Sequence, residues 1–260
     1  MKTVILCGGF GTRIRDVAED IPKPMIPIAA LPILWHIMKY YSHSGFSDFV
    51  LCLGYRADVI KRFFLDYALM TSDVTLTLSK SPERVLHDKH DEIDWRVTLA
   101  DTGLNAMTGA RVKRVAKYLD EDEDFMLTYG DGLSDINLHE LVAFHRAHGR
   151  LMTVTGVHPP GRFGEIEHDK NGLVVEFNEK TQTSGGVISG GFFVIKKKFL
   201  DYLSEDEGCV LETGPMRQLV RDKQLMIYRH TGFWQCMDTM REFQLLNSLW
   251  DVGQAPWKVW

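Results

Sequence analysis

The sequence has 260 residues, 45% hydrophobic and 25% charged, with a formal net charge of −5. That length accommodates one large α/β domain whose core needs neither disulfides nor a structural metal. The negative balance excludes general nucleic-acid binding, which needs a basic excess against phosphates, and Met1-Lys2 before Val4-Ile5-Leu6 is too short for a signal peptide or membrane span, so a cytoplasmic protein is expected.

Residues 3–7 are continuously apolar and predict a strand buried on both faces. Gly8-Gly9-Phe10-Gly11-Thr12-Arg13 follows at once. Glycines there let backbone N–H groups approach phosphate oxygens with no Cβ between, and Arg13 adds a planar two-pronged donor. Ile14 stands where a dinucleotide fingerprint needs its third glycine, and no Gly-Lys-Ser/Thr closes a Walker loop, so both patterns fail. Pro22-Lys23-Pro24 then presents a lysine on a backbone restricted by two prolines, either a second phosphate contact or a solvated loop residue. Residues 32–43 carry Ile33, Leu34, Ile37, Met38 and Tyr41 at helical spacing, with Pro32 at the start and Gly45 at the end. A strand at 48–53 and a helix at 57–69 continue the alternation. Strands at 74–78 and 96–100 bracket a charged stretch, 83–94, that reads as a loop, and a helix at 111–119 follows.

The strand at 125–129 ends in Gly130-Asp131-Gly132, which places Asp131 at the carboxyl edge of the sheet, where ligands of open α/β sheets bind. Asp238, in Trp234-Gln235-Cys236-Met237-Asp238, is a second candidate carboxylate. Two aspartates from distant segments match the preference of Mg²⁺ for one or two carboxylates plus phosphate oxygens. The alternatives are a turn residue for Asp131 and a cap on a helix at 239–249 for Asp238. A helix at 138–148 places His145 and His148 near its end as surface and capping residues. Strands at 151–157, 173–177 and 191–195 complete the pattern. Glu179-Lys180 is either a cation near a second phosphate or a solvated pair, and Gly190-Gly191 either a close approach to a sugar or a strand bulge. Cys7, Cys52, Cys209 and Cys236 show no CxxC spacing and read as reduced thiols. The alternation predicts an α/β fold with a mostly parallel sheet flanked by helices. The segments after Phe163 extend one domain, 1–260.

The stretches G-G-F-G-T-R, P-K-P-M, P-I-L-W-H-I-M-K-Y-Y, T-Y-G-D-G, P-P-G-R-F-G, G-G-F-F-V and G-F-W-Q-C-M-D-T carry a resemblance over essentially the whole chain. The chain resembles the bacterial glucose-1-phosphate cytidylyltransferases, a branch of the sugar-nucleotide pyrophosphorylases. The resemblance implies a Rossmann-like nucleotidyltransferase fold, with sugar-binding and assembly elements toward the C-terminus, and the conversion of CTP and a hexose 1-phosphate, α-D-glucose 1-phosphate, to CDP-glucose and pyrophosphate. It further implies nucleotide contacts from Leu6, Gly8, Gly9, Gly11, Thr12, Arg13 and Lys23, with Thr102, Gly103 and Arg111 beside the pyrimidine. Tyr129, Glu179, Lys180, Ser189 and Gly191 fall to the sugar phosphate, and Asp131 and Asp238 to Mg²⁺; Arg13, Lys23, Asp131, Lys180 and Asp238 would carry the chemistry. A homo-oligomer, described for the family as a hexamer, is implied too, with the tail around Trp257 and Trp260 helping assembly. Ser189 stands where the family has asparagine, and Cys236 where it has proline. The rival readings are a pyrophosphorylase for another nucleotide or sugar 1-phosphate, a non-catalytic nucleotide-binding regulator, and a carbohydrate-binding protein.

Overall fold

Val4, Ile5 and Leu6 are buried on both sides of the first strand because that strand is central. The computed structural model describes residues 1–11, 14, 21–79, 83–87, 92, 94–119, 124–159, 165–168, 174–178 and 186–260, with backbone alone at 165–168 and 174–178. Its seven-stranded sheet is built from β1 (Thr3–Leu6), β2 (Asp48–Leu53), β3 (Arg96–Asp101), β4 (Asp124–Tyr129), β5 (Met152–Val157), β6 (Ile188–Lys196) and β7 (Leu225–Arg229). They lie in the order β7-β5-β6-β4-β1-β2-β3. Pairings among β4, β1, β2 and β3 are parallel, as is β5 with β7, whereas β6 runs antiparallel to both β4 and β5. The expected mostly parallel, helix-flanked sheet is what forms.

Successive strand residues point to opposite faces, and the core divides accordingly. Ile5, Leu51 and Met126 join α1 (Ile33–His43) and Trp257 on one face. Val4, Leu6, Val50 and Leu127 join Val112 of α2 (Thr108–Arg114) and Phe199 on the other. Truncating such a residue, Leu51 for instance, would cost roughly 2–5 kcal/mol through lost transfer energy and the cavity left behind.

Four departures from the expected elements have physical causes. Glu83–Leu86 is a strand, paired antiparallel with Val74–Thr77 in an exposed hairpin apart from the main sheet. A backbone ladder forms without burial, so the charges of Glu83 and Arg84 concealed it. The helix from Ala57 stops at Leu65, with Asp66 capping it before a short turn of helix at Tyr67–Thr71. α2 begins at Thr108 and gives way at Val115 to a 3-10 turn, Ala116–Tyr118, short of the expected single helix over 111–119. His145, expected at the surface in α3 (Leu138–His148), is fully buried. Its Nδ1 meets Thr153 Oγ1 at 2.8 Å and its Nε2 lies 3.7 Å from Asp124, because that face of the helix packs on β5. His148 does serve the helix end, its Nδ1 accepting from Arg150 N–H at 3.0 Å. Trp257 is buried within the chain's own core, stacked on Phe233, so it is not displayed for assembly. All four cysteines are free thiols. No helix among the described residues is long and apolar enough to cross a membrane.

Candidate active site

Because β1 to β4 run in one direction, their carboxyl ends share one edge, and the segments leaving them build the site. A cleft of about 390 Å³ opens there, lined by Leu6, Gly8, Gly9, Gly11, Lys23, residues 104–108, Arg111, Tyr129, Asp131 and Asp238.

The glycine loop rests on a buried arginine. Arg111 donates to Leu53 O at 3.0 Å, Thr102 Oγ1 at 2.8 Å, Gly103 O at 2.8 Å, Gly8 O at 3.0 Å and Leu104 O at 3.1 Å. All five acceptors are neutral, and burial pulls its pKa below the ordinary arginine value. A Cβ on Gly8 would lie 2.2 Å from Arg111 Nη1, and one on Gly54 2.4 Å from the same atom. Glycine at position 8 therefore admits the guanidinium as well as any phosphate. Gly9 has nothing within 4 Å of its would-be Cβ. Gly11, at φ 61°, lies against Lys23, its would-be Cβ 3.2 Å from Lys23 Cβ, so the loop and the lysine are neighbours. Thr12 and Arg13 lie outside the described residues.

Thr102 and Gly103 sit behind Arg111. Thr102 is 1% exposed and gives its hydroxyl proton to Leu53 O at 2.6 Å. Gly103, at φ 91°, packs against Arg114. The wall of the cleft beside them is residues 104–108, which the sequence reading did not single out.

The two aspartates, far apart in the chain, are joined by backbone. Gly132–Ser134 pairs antiparallel with Trp234–Cys236, Cys236 opposite Gly132, and Met237 N–H donates to Asp131 O at 2.9 Å. Gly130 brings the end of β4 close to β1 and to the turn that carries Lys23, since a Cβ there would lie 3.0 Å from both Leu6 O and Pro24 Cγ. Asp238 is not the helix cap. Thr239 caps α5 (Met240–Asp251; the intervening α4 is Pro215–Arg221) through a capping box with Glu242, whose carboxylate accepts from Thr239 N–H at 2.6 Å. Lys23, on a 3-10 turn after Pro22, donates to Asp131 at 2.5 Å and also to Asp238. Burial alone would lower its pKa, but the Asp131 charge and its hydrogen bonds to both aspartates outweigh that and raise it. Cys236 lies 3.7 Å from Asp238, with its thiol pushed up to about 12 by burial and then by the two carboxylates, so it is neutral.

Gly191, at φ 79°, is overlaid by Tyr129, whose Cδ2 would be 2.5 Å from a Cβ there. The Tyr129 hydroxyl donates to Glu212, and burial followed by the Glu212 charge raises its pKa. Trp234 Nε1 donates to Gly190 O at 2.7 Å, which ties this strand to the segment carrying Asp238. Ser189 is exposed at the start of β6. Glu179 and Lys180 lie outside the described residues. Glu212 was not foreseen, and no local motif marks it.

The pattern of the family described as nucleotidyl transferase matches residues 2–248. Glucose-1-phosphate cytidylyltransferase of Salmonella typhimurium is 45% identical over 260 residues, covering 100% of both chains. Mannose-1-phosphate guanyltransferase of Gibberella zeae is 27% identical over 248 residues, 94% of this chain and 62% of that protein. Among solved structures, HddC from Yersinia pseudotuberculosis superposes with a TM-score of 0.64 at 22% identity, covering 96% of this chain and 99% of that one.

Proposed function

The chain belongs to the nucleotidyl transferase family, and from that premise we propose that it transfers the cytidylyl group of CTP to α-D-glucose 1-phosphate, releasing pyrophosphate and CDP-glucose. The choice of CTP and glucose rests on the full-length 45% identity to the cytidylyltransferase. The observation that carries the chemistry is the convergence of Asp131 and Asp238 on one ammonium, Lys23 Nζ, at the foot of the glycine loop.

That ammonium is a stand-in for a cation, and two carboxylates meeting at one point, with room beside them for phosphate oxygens, suit Mg²⁺. We assign Asp131 and Asp238 to hold it. Magnesium bound there would polarise phosphate oxygens and neutralise charge that develops in transfer. A phosphate oxygen of the sugar 1-phosphate forms the new bond to the α-phosphorus of CTP, and the bond from that phosphorus to the pyrophosphate oxygen breaks. The attacking monoester, with a second pKa of roughly 6, is mostly dianionic at pH 7 and needs no protein base. The chain's own task is alignment and charge. The glycine loop offers backbone N–H groups, Lys23 can follow the triphosphate off the carboxylates, and the Arg111 charge lies behind the loop without a compensating carboxylate among its five acceptors. Tyr129 and Gly191 form the hexose side, with Ser189 at its edge. A homo-oligomer, on the family resemblance, completes the reading.

Four nucleoside triphosphates assayed against several sugar 1-phosphates for pyrophosphate release test this assignment. CTP with glucose 1-phosphate is expected to give the highest kcat/KM. A clear preference for UTP, dTTP or another sugar phosphate overturns the assignment of substrates and leaves the reaction class standing.

A further inference from the structure

We infer that Glu212 is a positioning residue that fixes the hexose side of the cleft by holding Tyr129 over Gly191, an inference that rests on the function just proposed. Its carboxylate joins two walls. One oxygen accepts from the Tyr129 hydroxyl, and the other accepts from Thr108 Oγ1 at 2.7 Å, both donors belonging to residues that line the cleft. The Tyr129 ring lies on Gly191, whose positive φ and missing Cβ make that contact possible, and it meets Phe193 edge-on at 6.1 Å between centroids. Packing sets the plane of the ring, and Glu212 sets where its hydroxyl end stands.

Glu212 is itself held firmly without using its carboxylate. Its segment is laced to the start of α2 by Met107 N–H to Glu207 O at 2.9 Å, Ala110 N–H to Cys209 O at 3.1 Å and Leu211 N–H to Thr108 Oγ1 at 3.0 Å. Gly109 leaves no slack there, since a Cβ would lie 2.7 Å from Cys209 Sγ. Loss of the carboxylate therefore releases the phenol while the segment stays in place. Arg111, one turn along α2, keeps its five acceptors, and Thr108, though it loses the carboxylate, still accepts from Leu211 N–H, so the backbone of the nucleotide side stays held.

The test is calorimetric binding of CDP-glucose and of CTP in magnesium buffer, which needs no turnover, with thermal melting to confirm that each variant is folded. Glu212→Ala should weaken CDP-glucose on the order of 10-fold, the worth of one charge-assisted hydrogen bond, while CTP weakens by less than about 3-fold. Tyr129→Phe should lose most of that affinity, and the double variant should be no worse than Glu212→Ala, because the Tyr129 bond is already gone in it. Glu212→Gln, which keeps a carbonyl acceptor, should recover most of the affinity. Unchanged CDP-glucose binding by Glu212→Ala overturns the inference, as do additive losses or an equal loss of CTP. Should Glu212→Ala fail to fold, Glu212→Met, which keeps the bulk of the side chain without an acceptor, carries the same comparison. Wild-type protein that binds CTP but not CDP-glucose overturns the proposed function itself, and this inference with it.

Discussion

Arg111 and Lys23 line the same cleft, yet their partners differ in kind. Arg111 is surrounded by the oxygens of Gly8, Leu53, Thr102, Gly103 and Leu104, all uncharged, drawn from the segments that leave β1, β2 and β3. Lys23 meets the carboxylates of Asp131 and Asp238. The arginine's hydrogen bonds are thus met by neutral oxygens, with Asp101 acting on its charge only from beyond them, which makes it a scaffold for the glycine loop that carries a fixed charge. The lysine's charge is cancelled by the two carboxylates proposed to hold Mg²⁺, and on that proposal its position is exchangeable. The proposed chemistry thus asks one site for a permanent cation, Arg111, and a replaceable one, Lys23.

Removing the acceptor of the replaceable cation should have the largest effect. Asp131→Asn is expected to lower kcat on the order of 10²- to 10³-fold, as loss of one charge contact on a transferring group does elsewhere, with little change in thermal stability. Near-wild-type turnover would remove Asp131 from the chemistry. Arg111→Met attacks the scaffold instead. Buried acceptors deprived of their donor should cost about 3 kcal/mol, read as a fall in Tm on the order of 10 °C, with activity lost alongside. An unaltered Tm would break the contrast between the two cations. A smaller effect should follow from Lys23→Met, which lowers turnover but should tighten Mn²⁺ binding in the absence of nucleotide roughly 10-fold, since a competing charge has gone. Electron paramagnetic titration of Mn²⁺ measures this, and unchanged affinity would show that Lys23 does not occupy the cation position.

The two cations were not equally legible in the sequence. Lys23 stands in Pro22-Lys23-Pro24 just after a glycine loop, and Asp131 ends a buried strand, so local pattern pointed to each. β2 and α3 appeared with their bounds intact because the first is apolar throughout and the second has Asn137 as its cap. The pairing of Asp131 with Asp238 depends on a ladder between Gly132–Ser134 and Trp234–Cys236, strands too short to leave a periodic signal. The scaffold role of Arg111 was invisible for a similar reason, since its acceptors come from distant turns. Glu212 lies outside any motif, and its partners Tyr129 and Thr108 are brought to it only by the fold. Thr12, Arg13, Glu179 and Lys180 lie outside the described residues, so their assignments stand on sequence resemblance.

The smallest effect sharpens the comparison from the side of groups that can give up their charge. Arginine keeps its proton when buried, whereas histidine yields it. Burial lowers His145 from 6.5 to about 4, against a smaller opposing pull from Asp124, and lowers His36 likewise to about 4. Both are therefore neutral in the fold at pH 7. A depressed folded pKa means that the unfolded chain binds more protons between the two values. The stability these residues contribute is fully present above pH 6.5 and is lost as pH falls toward about 4. Thermal melting between pH 7 and 5 should show Tm declining, and His145→Gln, which keeps a hydrogen-bonding group but cannot titrate, should flatten the decline by roughly 2 kcal/mol. Arg111→Met should leave the slope unchanged while lowering the whole curve. An equal slope in the His145→Gln variant would mean that burial does not shift His145, and a steeper one that His145 is held protonated in the fold beside Asp124, so that the buried cations of this protein include an imidazolium.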